Sequence, residues 1–167
     1  LGVITPAVER LRRRFGFPGM RVLQFAVEAW AAGETGAPEA CEPDTVIYSG
    51  THDNDTTAGW FRAPPGSGST RGAAEVRRER ALLLEYLQSD GREIHWDMIA
   101  LALRSPAVAA VIPMQDVLGL GSGARMNTPG RPGGNWRWRM QQGQLTEAAA
   151  ARLRAETETH GRRPRRT

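Results

Sequence analysis

Thr45-Val46-Ile47-Tyr48-Ser49-Gly50-Thr51-His52-Asp53-Asn54-Asp55-Thr56 begins as a short apolar run and ends abruptly in a cluster of polar side chains. A run this short, rich in β-branched and aromatic residues and without an alternating polar face, fits a buried strand of a parallel sheet. Polar groups placed where such a strand runs out occupy the edge at which α/β folds build their sites.

Working outward, the same unit repeats on both sides of this stretch. Met20 to Ala26 is a second apolar run that reads as a buried strand, and Ala107 to Met114 is a third, ending in the polar pair Gln115 and Asp116. Leu1 to Ile4 looks like the exit of a further strand. Helices fall between these runs. Thr5 supplies an N-cap and Pro6 the first helical position, Val8, Leu11 and Phe15 share one face, Arg12, Arg13 and Arg14 form the solvated side, and Gly16 and Pro18 end the element. Residues 31–43 read as loop, and residues 63–72, rich in Pro, Gly and Ser, as a mobile connection inside one domain. Ala73 to Gln88 is predicted helical with Val76, Leu83, Leu84 and Leu87 inward; a helix from Ile94 places Trp96, Ile99, Ala100 and Leu103 on one side until Ser105-Pro106 stops it. A glycine-rich loop spans Gly119 to Gly134, Trp136 to Met140 is expected as a short strand with its tryptophans buried, and Thr146 caps a helix to Glu158. The domain is expected to run from 1 to 158, with residues 159–167 a basic, disordered tail. Strands alternating with helices mean parallel βα units. Three strands cannot close a barrel, which takes about eight, so these units are expected to be part of a larger sheet.

The 167 residues are 40% hydrophobic and 24% charged, within the globular range, which argues against wholesale disorder and against a membrane span. All 22 basic residues are arginines, and Arg162, Arg163, Arg165 and Arg166 lie at the end of the chain. Without those four the basic and acidic residues balance, 18 against 18, so the excess of +4 belongs to one terminus rather than to a folded nucleic-acid-binding face. A single cysteine, Cys41, excludes an internal disulfide and makes a reducing compartment, the cytoplasm, the expected location.

The cluster Thr51 to Thr56 supports three readings from its residues alone. Asp and Asn bond their own backbone readily, so it could be a set of turns and caps. His and Asp could ligate a metal, although no second cluster of ligand spacing completes a shell. Carboxylates at the ends of strands also serve glycoside chemistry, where they stabilise an oxocarbenium-like transition state. Elsewhere, Asn135-Trp136-Arg137-Trp138-Arg139 interleaves aromatics and cations in a way that suits base stacking, sugar stacking or a buried strand, the last being preferred. His95 and His160 are isolated and expected to be exposed, Cys41 has no partners that would make it a nucleophile, and Trp60 and Phe61 are expected in the core.

Tyr48-Ser49-Gly50-Thr51-His52-Asp53-Asn54-Asp55-Thr56-Thr57-Ala58-Gly59-Trp60-Phe61 closely resembles a signature of the 4-α-glucanotransferases, also called amylomaltases or disproportionating enzymes. Two further stretches resemble the same family in the same order: Met20 to Phe25, and Pro113 to Gly130 with Gly134-Asn135-Trp136. The resemblance implies the C-terminal part of a (β/α)8 barrel, with Met20–Phe25, Val46–Gly50 and Val108–Pro113 resembling its sixth, seventh and eighth strands. It implies a retaining transglycosylase without metal or organic cofactor, acting on α-1,4-glucans and maltooligosaccharides and not on nucleic acid or membranes. In that family an aspartate nucleophile follows the fourth strand and a glutamate acid/base the fifth, in Glu-Asp-Leu-Gly. This chain opens at Leu1-Gly2, so both would lie upstream and the chain alone would be inactive. Asp53 then matches the third carboxylate, the transition-state stabiliser; His52 matches its sugar-binding neighbour, and Asn127 and Arg125 are candidate substrate-binding residues. Gly123 stands where the family commonly has an acidic residue, a departure that touches the loop and not the assignment. A non-catalytic α-glucan-binding module is the alternative expectation.

Overall fold

The computed structural model describes residues 4–64 and 72–162. Three parallel strands, β1 (Gly19–Val22), β2 (Thr45–Tyr48) and β3 (Ala109–Val111), stand in the order β1-β2-β3, with Met20 opposite Val46 and Val46 opposite Ala109. Parallel neighbours need long crossovers, and the helices are spent on them. Helix α1 (Pro6–Arg14) precedes β1; α2 (Leu23–Ala31) joins β1 to β2; α3 (Thr57–Arg62), α4 (Ala73–Leu87) and α5 (Ile94–Arg104) lie between β2 and β3. After β3 come the single turn α6 (Met114–Val117), a 3-10 turn at Ser122–Ala124 and α7 (Glu147–Thr159). The fold is α/β, as the alternation of runs predicts.

The core forms where β2 meets α2, α4 and α5: Leu23, Val27, Ile47, Leu83, Ile94, Met98 and Leu101 are fully buried together. Each such side chain contributes about 1.5–3 kcal/mol relative to exposure. Trp60 and Phe61 pack against this cluster from α3, in line with their expected place. A second cluster, Trp96, Ile99, Leu103 and Val117, joins α5 to α6 and receives Leu153 of α7. Arg152 reinforces that joint: its guanidinium lies 4.5 Å from the Trp96 ring and bonds Glu93 at 2.7 Å. The cation holds the Glu93 carboxyl below the usual carboxylate range. Among the described residues no helix is long and apolar enough to cross a membrane.

Several expectations are corrected. The run Met20 to Ala26 is strand only through Val22; Leu23 starts α2, because Leu, Gln, Ala and Glu favour helix and the segment reaches Gly33, in left-handed conformation, before it turns. The third strand is three residues long, not eight, and Val108 and Val111 are exposed because β3 is a sheet edge among the described residues. Val8, Leu11 and Phe15 do share one face of α1, with Thr5 as its cap, but that face is more than half exposed. Trp136 to Met140 forms no strand, and Trp136 sits in a turn with φ +61°. His95 is half-buried against Gly119, and His160 is partly buried beside Glu156. The segment expected to be a free tail begins within structure: Thr159 ends α7, and Arg162 donates to the carbonyls of Leu103 and Ser105, left open at the C-terminus of α5, and to that of Ala107 just beyond it. Residues 163–167, most of the loop 63–72 and residues 1–3 lie outside the described residues; Ile4 is exposed and in no strand.

Candidate active site

The polar cluster at the end of β2 divides into residues that build the turn and residues that the turn presents. Ser49, fully buried, donates to Asp116 Oδ2 at 2.6 Å; Thr57 donates to the same oxygen through its hydroxyl at 2.9 Å and to Oδ1 through its backbone N–H at 2.7 Å. Asp116, 1% exposed, thus ties the end of β2 and the start of α3 to the segment following β3. A buried carboxylate is tolerated only when its lone pairs are filled, and three donors fill them here. Asn54 accepts from the backbone and hydroxyl of Thr51, Thr56 caps α3 by accepting from Gly59, and Asp55 accepts from the Thr56 amide and, at 2.6 Å, from Ser122. For Thr51, Asn54, Asp55 and Thr56 the turn-and-cap reading therefore holds.

His52 and Asp53 are the members that this scaffolding leaves over. Both side chains are about half exposed, at 56% and 48%, with His52 Nε2 3.4 Å from Asp53 Oδ1. Asn127 Nδ2 donates to the same Asp53 oxygen at 2.6 Å, and the Asn127 amide donates to the His52 carbonyl at 3.0 Å. Arg125 does not touch the carboxylate. Its guanidinium bridges the backbone carbonyls of Asp53, at 2.6 Å, and Asn127, at 2.7 Å, and so fastens the glycine-rich loop to the strand end. All four residues singled out in the sequence thus meet at one place, although 72 positions separate Arg125 from Asp53. Asp53 Oδ2 takes no partner among the described residues. A half-exposed carboxylate with one oxygen free, flanked by an imidazole and an amide, can accept hydroxyl hydrogen bonds and can stabilise nearby positive charge. A cleft of about 120 Å³ is bordered by Gly50, His52, Asn54, Asp116 and Arg125, with Asp53 and Asn127 outside its lining. Among the described residues no three His, Cys, Asp or Glu side chains converge as metal ligands would.

Three contributors were not legible as such. Ser122 sits among glycines that read simply as loop, yet it clasps Asp55. Gln24, buried in an apolar run, donates to the Asp55 carbonyl at 2.9 Å; a lone amide in such a run is the signal that could have marked it. Trp136 was expected inside a strand, and instead lies on His52, ring centroids 5.0 Å apart.

A sequence profile of the 4-alpha-glucanotransferase family matches residues 1–146. The 4-alpha-glucanotransferase of Thermus thermophilus is 46% identical over an alignment covering 95% of this chain and 31% of that protein. That of Synechocystis is 43% identical, over 98% of this chain and 30% of that protein. The solved structure of amylomaltase from Streptococcus agalactiae in complex with acarbose superposes with a TM-score of 0.81 and 29% identity, covering 98% of this chain and 31% of that one. The chain therefore spans about 30% of the length of these three relatives. A profile match across most of the sequence, identities above 40% over nearly the whole chain, and a common fold agree that the chain belongs to the 4-alpha-glucanotransferase family.

Proposed function

We propose that this chain supplies the sugar-holding side of a 4-α-glucanotransferase site, in an enzyme that moves α-1,4-glucan segments between maltodextrins by a retaining double displacement. The observation that carries this reading is the meeting of Asp53, His52 and Asn127 at the end of β2, with the Asp53 side chain about half exposed and its Oδ2 without a partner among the described residues. β1, β2 and β3 then correspond to the sixth, seventh and eighth strands of a (β/α)8 barrel. The nucleophile and the acid/base belong to the part of the relatives that this chain does not span.

In the reaction so read, Asp53 accepts hydrogen bonds from hydroxyls of the sugar at the cleavage point. As the glycosidic bond breaks, positive charge grows on the sugar ring, and a fixed carboxylate gains interaction with it that the ground state lacks. His52 and Asn127 hold the carboxylate and offer donors to the same sugar, while Arg125 keeps the loop in register. Maltooligosaccharides are the substrate class, a reading supported by the acarbose bound in the amylomaltase of Streptococcus agalactiae. The single cysteine favours a reducing compartment such as the cytoplasm.

The test compares two proteins. The 167-residue chain alone is expected to release no glucose from maltotriose and to redistribute no chains, whereas the same chain joined to the upstream part of the Thermus thermophilus relative is expected to do both. A glucan-binding module would remain inactive in both forms, and that result would refute the transferase reading.

A further inference from the structure

Trp136 is a bulky residue in a conformation that bulky residues avoid. Its φ is +61°, whereas elsewhere among the described residues the left-handed region is taken by eight glycines and by Gln88. The conformation is pinned from both sides: the Trp136 amide donates to the Met126 carbonyl at 2.6 Å, and its own carbonyl accepts from Arg139 at 2.8 Å. Asn135 adds a bond from the Thr128 amide at 2.9 Å. A glycine would make the same backbone bonds without strain, so the backbone does not account for the tryptophan. The indole does not account for itself by core packing either, since the residue is 51% exposed. What the ring touches is His52, at 5.0 Å between centroids and 39° between planes, on the residue whose Nε2 lies 3.4 Å from Asp53.

We propose that Trp136 is a positioning residue: its indole braces the His52 imidazole so that Nε2 stays turned toward Asp53 and toward a sugar bound there. His52 is otherwise an exposed side chain on a turn, free to take other rotamers, and a ring against one of its faces removes that freedom before a ligand arrives. The strained turn is the means by which a residue just past the glycine-rich loop reaches His52 at the end of β2. The consequence for sugar binding rests on the reading of Asp53 and His52 given above, but the bracing itself does not.

The experiment uses the full 167-residue chain with isotope-labelled histidine, which leaves three ring signals to resolve, and compares Trp136→Phe, Trp136→Ala and Trp136→Gly. Ring-current displacement of the His52 signal is expected in the parent and in Trp136→Phe, and its loss in Trp136→Ala and Trp136→Gly. Acarbose affinity is expected to follow the same division, falling by roughly tenfold, about the worth of one hydrogen bond, when the ring is removed. The glycine variant separates the two roles, because it relieves the turn while deleting the ring. If Trp136→Gly keeps the parent His52 signal, or binds acarbose as tightly as the parent, the bracing proposal is overturned and the sugar reading stands. If the His52 signal follows the series but the parent, joined to the upstream part of the Thermus thermophilus relative, binds no acarbose, the bracing stands and the sugar reading fails.

Discussion

Asp53 and Asp116 both belong to the structure at the end of β2 and differ in what surrounds them. Asp116 has its oxygens filled by Ser49 and Thr57, which makes it a scaffold; Asp53 has an oxygen with no partner among the described residues, which leaves it able to act on a ligand. Replacing Asp53 by Asn keeps the shape and part of the hydrogen bonding but removes the charge that answers a developing cation. In the enzyme completed with the upstream part of a relative, Asp53→Asn is expected to lower kcat on maltotriose by roughly a hundred- to a thousandfold, with a much smaller change in KM. Turnover at the parent rate would refute the role given to Asp53. His95 allows a prediction about pH. Burial holds its pKa below the ordinary histidine value, its Nδ1 has no partner among the described residues, and its ring lies against Gly119, where a Cβ would come within 2.8 Å of Nε2. The unfolded chain therefore takes up the proton first as pH falls through about 6.5, so the stability associated with neutral His95 is present above that pH and is lost below it. Melting temperatures are expected to drop between pH 7.5 and 5.5, by less in His95→Gln; an equal drop in both proteins would show that His95 is not the responsible group.

At the scale of elements, the site is held by the clasp between α3 and the glycine-rich loop rather than by the strands alone. Gly59 on α3 is where they meet: a Cβ there would lie 2.5 Å from Ser122 Oγ, 2.6 Å from Asp55 Oδ1 and 2.8 Å from the Ser122 amide nitrogen. Since the third of these is backbone, no rotamer change relieves it. Gly59→Ala is expected to cost about 1–3 kcal/mol in unfolding free energy, the usual range for overpacking, measured by denaturant titration against the parent. Ser122→Ala added to it is expected to restore only part of the loss, because the amide contact remains. Full restoration would mean that the loop backbone is free to move and that the clasp is a side-chain contact only.

Across the whole molecule, the buried side of the sheet is well made and its margins are not covered by described residues. Ile4, Val8, Leu11, Phe15, Phe17 and Met20 gather before and on β1, all more than half exposed, and Val108 and Val111 lie at the other edge, just before β3 and at its end. Unpaired parallel edges and apolar margins of this kind drive association. The isolated chain is expected to associate as its concentration rises, with light scattering giving masses above 18.3 kDa, and joining the upstream part of a relative is expected to abolish this. A monomer with one cooperative thermal transition would contradict the barrel reading of these edges.

Local patterning was enough to read the α/β alternation, the caps at Thr5 and Thr146, the strand at Thr45–Tyr48 and the motif that presents His52 and Asp53, because each depends on residues adjacent in the chain or a turn apart. Asn127 and Arg125 are legible only as candidates in the glycine-rich loop, and it is the structure that brings them to Asp53, Asn127 at its carboxylate and Arg125 at its backbone carbonyl. It took tertiary structure to decide which polar residues are spent on the turn, because Asp116 and Ser122 reach it from more than 60 positions away. The length of β1 was decided there too: Leu23 to Ala26 is apolar enough for strand or helix, and packing against α4 and α5 selects helix. The alternating tryptophans at 136 and 138 satisfy the pattern of a buried strand, but a pattern of two cannot see that the Met126 carbonyl holds residue 136 in a left-handed turn over His52. Sequence fixes periodicity and local chemistry; which distant group fills a given lone pair or covers a given ring depends on the path of the chain between them.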